Sequence, residues 1–193
     1  MSPKQGEQTD FEQRSDEDLV GLVSEDKELY SYLVRRYESR LLRYIVRISG
    51  VDRDDAEDIL QESFINAYRN LCGFDRERKF SSWIYRITHN STISDARRRK
   101  VRQRHLIPDV EAELVERIAS DEDVARDAER KMEAEEVRGM LAELNERHRD
   151  ILVLYYLEQM SYTEISDVLH VPVGTVGTRL MRAKKAFRKI IVK

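Results

Sequence analysis

The chain is poor in the residues that make tight turns, because its 193 residues include only 7 Gly and 3 Pro. All-β sandwiches and barrels need many such turns, and collagen-like or linker-type proteins need far more glycine. Both classes are therefore excluded, and the composition predicts an all-α fold.

The chain has a single cysteine, Cys72. It cannot form an internal disulfide, and without further cysteines or clustered histidines it cannot form a metal site, so we expect neither metal nor cofactor. No run of about 18 apolar residues occurs, and the first residues lack the apolar core of an export signal, so no membrane insertion is expected. We therefore predict a cytoplasmic protein.

Catalytic patterns are also missing. The sequence has no phosphate-binding glycine loop, no nucleophile triad and no paired carboxylates in an apolar setting. The four histidines lie in unrelated contexts: His89, His105, His148 and His170. We predict that the protein is not an enzyme.

The formal net charge of -3 is an average over unlike segments. Residues 109–136 hold 12 acids and 4 bases, which leaves 30 bases and 25 acids in the rest of the chain. An acidic, aromatic-poor segment between two slightly basic halves is typical of a linker. We therefore predict two small helical domains at 15–104 and 133–193, an acidic linker at 105–132 and a disordered tail at 1–14.

Hydrophobic spacing predicts four helices in the first domain. Ser15 and Asp18 are spaced as a helix N-cap pair, and a long amphipathic helix with apolar residues every three or four positions ends at Gly50. A third helix runs from about Asp52 to Gly73. After a polar loop at 74–82, a fourth helix containing Trp83 continues into six bases within residues 97–104.

The end of the chain has the spacing of a helix-turn-helix. Apolar positions in 161–180 predict two short helices that are separated by a turn near His170, and residues 179–189 hold six bases and no acid. Thr178 and Arg182 are four residues apart on one face of the second helix, from which they could reach base edges in a major groove. This is the strongest functional signal, and it predicts DNA binding.

Two other segments carry weaker signals. Residues 74–104 combine aromatic side chains with a basic run, a mixture that suits single-stranded DNA, although Trp83 and Phe80 are each better explained as core residues. Residues 55–69 form an acidic helix that could dock on a basic protein partner or could simply be solvated.

In this order, the three segments resemble the extracytoplasmic-function group of bacterial RNA polymerase sigma factors. The resemblance covers roughly residues 16–104 and 133–189. Residues 55–69 resemble region 2.2, which docks on the clamp helices of the largest polymerase subunit. Residues 79–100 resemble regions 2.3 and 2.4, which open and read the −10 element. Residues 141–189 resemble region 4, which reads the −35 element and touches the flap of the second-largest subunit.

The resemblance implies three sets of site residues. Contacts to the −10 element fall at the loop that captures a flipped base and on the following helix: Phe74, Lys79, Ser81, Arg86, His89, Asn90, Arg97 and Arg98. Contacts to the −35 element fall on the last helix: Gly174, Thr175, Thr178, Arg179, Arg182 and Lys185. The core polymerase interface comprises Asp55, Asp58, Gln61, Glu62 and Ile65.

The implied function is that of a sigma subunit, which directs core polymerase to promoters and nucleates strand opening by base capture. Capture offsets the cost of unpairing the base, which is on the order of a few kcal/mol, so no ATP is needed. The implied partners are core RNA polymerase, double- and single-stranded promoter DNA, and an inhibitory anti-sigma factor.

Four residues depart from the family pattern. Gly177 stands where many relatives have Arg or Lys, which predicts one fewer contact to the −35 element. His170 takes a turn position that usually holds Gly, where a left-handed backbone is expected. Ser166 replaces a small apolar Ala, and Asn145 replaces a common Pro.

Two alternatives remain open on the sequence. A stand-alone helix-turn-helix regulator with a helical dimerisation domain would bind palindromic duplex without polymerase. A nucleic-acid enzyme such as a recombinase is disfavoured, because a nucleophile and metal-binding carboxylates are missing.

Overall fold

The computed structural model describes residues 11, 13–105 and 136–192. Within these ranges the secondary structure is helical and no residue lies in a β-strand, in agreement with the predicted all-α class. The predicted linker lies outside the described residues apart from His105, and so does the predicted tail apart from residues 11, 13 and 14.

Helices α1 (Asp16–Val23) and α2 (Tyr30–Ser49) form one side of the N-terminal domain. The Ser15 side chain accepts a hydrogen bond from the backbone N–H of Asp18, which confirms the predicted N-cap. Helix α2 ends at Gly50 with φ of 72°, a left-handed conformation that glycine adopts without a steric penalty. Its apolar stripe is buried along its length: Leu33, Tyr37, Leu41, Ile45 and Ile48.

Helices α3 (Arg53–Asn70) and α4 (Phe80–His105) complete the N-terminal domain. Asp52 caps α3 by accepting from the N–H of Asp55, and a 3-10 turn at Leu71–Gly73 follows α3. The predicted end of the loop at residue 82 is wrong, because α4 begins at Phe80. The Glu17 carboxylate accepts from the Phe80 N–H at 2.8 Å and so caps α4 from a distant helix.

The C-terminal domain comprises a helix at 136–142, here α5, and the helices α6 (Glu146–Leu152), α7 (Tyr162–Leu169) and α8 (Val173–Ile191). Asn145 caps α6 by accepting from the N–H of His148 at 3.0 Å. Asparagine thus starts this helix by capping its first turn. A π-helical turn at Val153–Leu157 follows α6 directly.

The two domains pack against each other. The main contact runs between α4 and α7, and a smaller one joins α2 to α6 and to the π-helical turn. Leu154 and Ile165 on the C-terminal side, like Tyr44 and Tyr85 on the N-terminal side, are fully buried. The sequence pattern predicts two domains but contains no indication of this contact.

Candidate nucleic-acid interface

The helix-turn-helix is fixed by hydrogen bonds at both ends of α7. Ser161 and Glu164 form a reciprocal capping box at its start. His170 ends it with φ of 53° and ψ of 52°, which confirms the left-handed turn expected at this position. The Ser166 hydroxyl donates to the carbonyl oxygen of Val171 at 2.5 Å, so the turn is bridged from the helix that precedes it. The angle between α7 and α8 is thereby set by local groups and by the buried Ile165 and Val176.

Helix α8 presents the residues predicted for the −35 element on its open side. Gly174, Thr178, Arg182 and Lys185 are exposed, and Thr175 and Arg179 are half-buried. The N-terminal end of α8 has free backbone N–H groups, which favour a nearby phosphate. The structure therefore brings this predicted set together on one accessible face.

Gly177 lies beside this face. A Cβ atom at this position would lie 3.4 Å from a ring carbon of Tyr162, an ordinary van der Waals distance. Packing around the backbone therefore does not require a glycine here. The prediction of one fewer contact to the −35 element rests only on the missing side chain of Gly177.

The residues predicted for the −10 element divide into exposed and buried groups. Arg97 and Asn90 are exposed, Arg86 and Ser81 are half-buried, and Lys79 is exposed in an ion pair with Glu164. Phe74 is instead 8% exposed and packs its ring on Phe80 and Trp83 at centroid distances of 5.7 and 5.2 Å. Phe74 thus anchors the 74–79 loop to the core, and Phe80 is a core residue as expected.

His89 is covered by the other domain. Its Nδ1 lies 2.9 Å from the Tyr44 hydroxyl, and its Nε2 lies 3.9 Å from Asp150 Oδ2 in α6. Burial lowers the pKa of His89 to about 4 and raises that of Asp150 to about 7. The imidazole is consequently neutral at pH 7 and cannot act as a cation toward DNA in this conformation.

The acidic residues of α3 fall into two groups. Asp58, Gln61 and Ile65 are exposed, with Ile65 at 45%. Asp55 pairs with Arg99, and Glu62 pairs with Arg98 at 2.9 Å. Arg98, predicted as a DNA contact, is thus partly neutralised by a residue predicted to face polymerase.

An apolar groove of about 380 Å³ opens in the C-terminal domain, between α5, α6, the π-helical turn and α8. Leu141, Leu152 and Phe187 form its floor, and Tyr156 and Ile191 are exposed at its edges. An exposed apolar groove of this kind is typical of a docking site for a protein helix.

Three residues with notable contacts were missed on the sequence: Glu17, Asp150 and Glu158. Each is an acid within an ordinary helical pattern, and its partner lies at least 60 residues away in sequence. Neither the hydrophobic periodicity of the sequence nor its composition could have identified these three residues. Among the described residues, no cluster of His, Cys, Asp and Glu is arranged to hold a metal ion. Nor is any helix of the described ranges both long and apolar enough to cross a membrane.

Comparison with known proteins assigns both domains. Residues 33–102 match the family described as Sigma-70 region 2, and residues 134–187 match Sigma-70, region 4. The ECF RNA polymerase sigma factor SigW of Bacillus subtilis is 35% identical over 175 residues, with 85% of this chain and 89% of the relative covered. The chain belongs to the extracytoplasmic-function (ECF) sigma factors.

Other comparisons agree. This sigma factor is 35% identical to the RNA polymerase sigma-H factor of Pseudomonas aeruginosa, over 93% of the chain and 95% of the relative. Its fold is similar to that of CnrH, solved in complex with the cytosolic domain of CnrY, with a TM-score of 0.69, 24% identity, and coverage of 92% of this chain and 97% of the other. At this identity the structural likeness shows the fold alone.

Proposed function

We propose that this ECF sigma factor binds core RNA polymerase, directs it to promoters through the −35 and −10 elements, and nucleates opening of the −10 duplex. The observation that carries the proposal is the presence of region 2 and region 4 in one chain and in this order. The protein is a specificity subunit and not an enzyme, and it works in the cytoplasm, where its polymerase transcribes.

Recognition of the −35 element is assigned to α8. Thr178 and Arg182 are both exposed and one helical turn apart, so both can enter a major groove when α8 lies in it. Lys185 continues the same face toward the phosphate backbone.

Opening of the −10 element is assigned to the 74–79 loop and α4. An unpaired base can hydrogen-bond with polar side chains of the loop while Arg97 and its basic neighbours follow the phosphates. Asn90 is exposed on the same helix and supplies an amide that can read a base edge.

Two surfaces are assigned to polymerase. The exposed part of α3, with Asp58, Gln61 and Ile65, suits the clamp helices, while Asp55 and Glu62 also hold α4 in place. The apolar groove beside Phe187 suits a flap helix. Because the sigma factor RpoE of Bartonella quintana was solved in complex with the anti-sigma factor NepR, we also propose that an anti-sigma factor regulates this chain.

Transcription in vitro tests this proposal. Core polymerase is supplied with the full chain and a library of templates with random upstream sequences. Discrete start sites preceded by two shared elements are expected. The R182A variant should lose discrimination at the upstream element only, whereas the control M181A, which changes an exposed neighbour, should retain both.

Transcription that does not depend on the added chain would contradict the proposal. Tight binding of the chain alone to palindromic duplex would support a stand-alone helix-turn-helix regulator instead.

A further inference from the structure

Glu158 lies at the centre of the contact between the two domains. It belongs to the C-terminal domain, directly after the π-helical turn, and its side chain is 4% exposed. One carboxylate oxygen accepts from Arg47 at 2.9 Å, and the other accepts from the Tyr85 hydroxyl at 2.5 Å. A buried carboxylate is thus satisfied entirely by two helices of the other domain.

Two ion pairs at the edge of the same contact also join bases of the N-terminal domain to acids of the C-terminal domain. Lys79 pairs with Glu164 at 2.9 Å, and Arg78 lies 3.6 Å from Asp167. As at Glu158, the base belongs to the N-terminal domain and the acid to the C-terminal domain. Carboxylates of the helix-turn-helix domain therefore pair with two bases of the 74–79 loop, which the proposed function places at the DNA.

The contact also narrows access to part of the proposed −10 surface, on which Asn90 and Arg97 remain exposed. Arg86, Asn90 and Arg97 line one wall of a cavity of about 510 Å³, and the opposite wall is formed by Leu169 and His170 of the helix-turn-helix. A DNA strand that approached α4 along this wall would meet the turn after α7. The −35 face of α8, by contrast, stays open, because Thr178, Arg182 and Lys185 are exposed.

We propose that Glu158 locks the helix-turn-helix domain over the −10-binding surface, so that the free chain in this closed conformation can bind −35 duplex but not −10 strand. The inference rests on the proposed function for the identity of the covered surface. Because Glu158 becomes solvated once the domains separate, opening leaves no buried charge unpaired, and binding energy from polymerase and DNA can drive it.

The closed state is tested by a distance measurement on the free full chain. Spin labels are attached to Cys72, which is exposed, and to a cysteine introduced by M181C, where Met181 is 67% exposed. The parent is expected to give one narrow distance distribution, and E158A a broad one that extends to longer distances. R47A and Y85F, which remove the partners from the other side, should shift the distribution in the same direction.

The control is E146A, which removes an exposed acid from the same domain and should leave the distribution narrow. If E158A and R47A fold with parental circular dichroism and keep the narrow distance, the lock does not exist.

The consequence for DNA is tested by fluorescence anisotropy with unlabelled protein. Affinity of the free chain for a −10 non-template strand should rise at least fivefold in E158A and R47A, while affinity for a −35 duplex changes less than twofold. Unchanged affinity for the −10 strand in variants with broadened distances would overturn the inference, because the lock would then not cover that surface.

Transcription with core polymerase separates this inference from the proposed function. E158A should initiate as efficiently as the parent, because the lock is already open in the holoenzyme. Loss of initiation in E158A alone would assign Glu158 to the open complex and overturn the lock. If the parent itself fails to initiate with core, the proposed function fails, while the distance measurement still decides whether the domains are locked.

Discussion

The Ser166 hydroxyl donates a 2.5 Å hydrogen bond to the carbonyl oxygen of Val171 across the turn of the helix-turn-helix. The backbone N–H of Val171 in return donates to the carbonyl of Ser166 at 3.1 Å. The two residues thus hold the end of α7 and the start of the turn from both directions. Ser166 therefore has a structural role, because its hydroxyl satisfies a carbonyl that the turn leaves free.

Replacement of this hydroxyl should therefore destabilise the protein. S166A leaves the Val171 carbonyl without its partner and should lower the free energy of unfolding by about 1 kcal/mol. Urea denaturation followed by circular dichroism measures the change. T163A, at an exposed position of the same helix, serves as control and should change stability by less than half as much. Equal effects of the two substitutions would mean that the bridge contributes nothing.

Substitutions at His170 and Gly50, which both have a left-handed backbone, should change the free energy of unfolding in opposite directions. His170 adopts φ of 53°, where a residue with a Cβ is strained, so H170G should raise the free energy of unfolding by about 0.5 to 1 kcal/mol. Gly50 adopts φ of 72° at the end of α2, so G50A should lower it by about 1 kcal/mol. The two melting temperatures, compared with that of the parent, check both signs. A destabilised H170G would show that the imidazole has contacts that outweigh the strain.

Arg76 of the 74–79 loop packs on α1 at Gly21. A Cβ atom at Gly21 would lie 2.7 Å from the guanidinium carbon of Arg76, so G21A must displace the end of this flexible side chain. Stability should stay within about 0.5 kcal/mol, because alanine also favours the helix over glycine. Base preference within the −10 element should nevertheless change, since Arg76 belongs to the loop.

Transcription of a promoter library by G21A and by R76A checks this prediction. Both variants should shift −10 selection in the same way and leave −35 selection unchanged. A G21A variant with the parental −10 preference would show that the position of Arg76 does not influence base capture.

Local features of the fold could be predicted from the sequence, whereas contacts between distant segments could not. The cap at Ser15 follows from a side-chain oxygen that accepts from a free helix N–H, and the end of α2 at Gly50 follows from the ease with which glycine adopts a left-handed backbone. The left-handed turn at His170 is expected only from the family resemblance, because a Cβ atom disfavours this conformation. The predicted start of α4 is too late because Glu17, 63 residues earlier, caps this helix. The hydrophobic period contains no information on such a partner.

The same limit applies to the candidate site. The exposed set on α8 could be predicted, because a helix-turn-helix defines which face is free. The state of the −10 set could not, because it depends on the packing of one domain on the other. Glu158 and Arg47 are 111 residues apart, and Phe74, expected at the DNA, is buried by ring contacts with Phe80 and Trp83. The spacing of the acids on α3 indicates a free surface, although two of them pair with arginines of α4.

His89 and Asp150 should each make the stability of the protein depend on pH, but in opposite directions. Burial raises the pKa of Asp150 from 3.8 to about 7, with Glu146 adding to the shift and Arg149 opposing it. Between these values the folded state binds more protons than the unfolded state, so this residue makes stability fall as pH rises. Burial lowers the pKa of His89 from 6.5 to about 4, so this residue makes stability rise with pH over 4 to 6.5. The two effects oppose each other and overlap, and together they contribute little between pH 5 and 6.5.

Replacement of either residue should make the pH dependence contributed by the other residue measurable. D150N leaves the His89 effect, so its free energy of unfolding, relative to the parent, should fall by about 2 kcal/mol from pH 7 to pH 5. H89Q leaves the Asp150 effect, so its stability should rise by about 2 kcal/mol over the same interval. Tyr44 also faces His89, but the pKa of its hydroxyl is raised well above 10 by burial, so it does not titrate in this window. Urea denaturation at both pH values measures the two slopes relative to the parent. Variants whose slopes both match that of the parent would show that neither group titrates with folding, because the interface would then be open to water in solution.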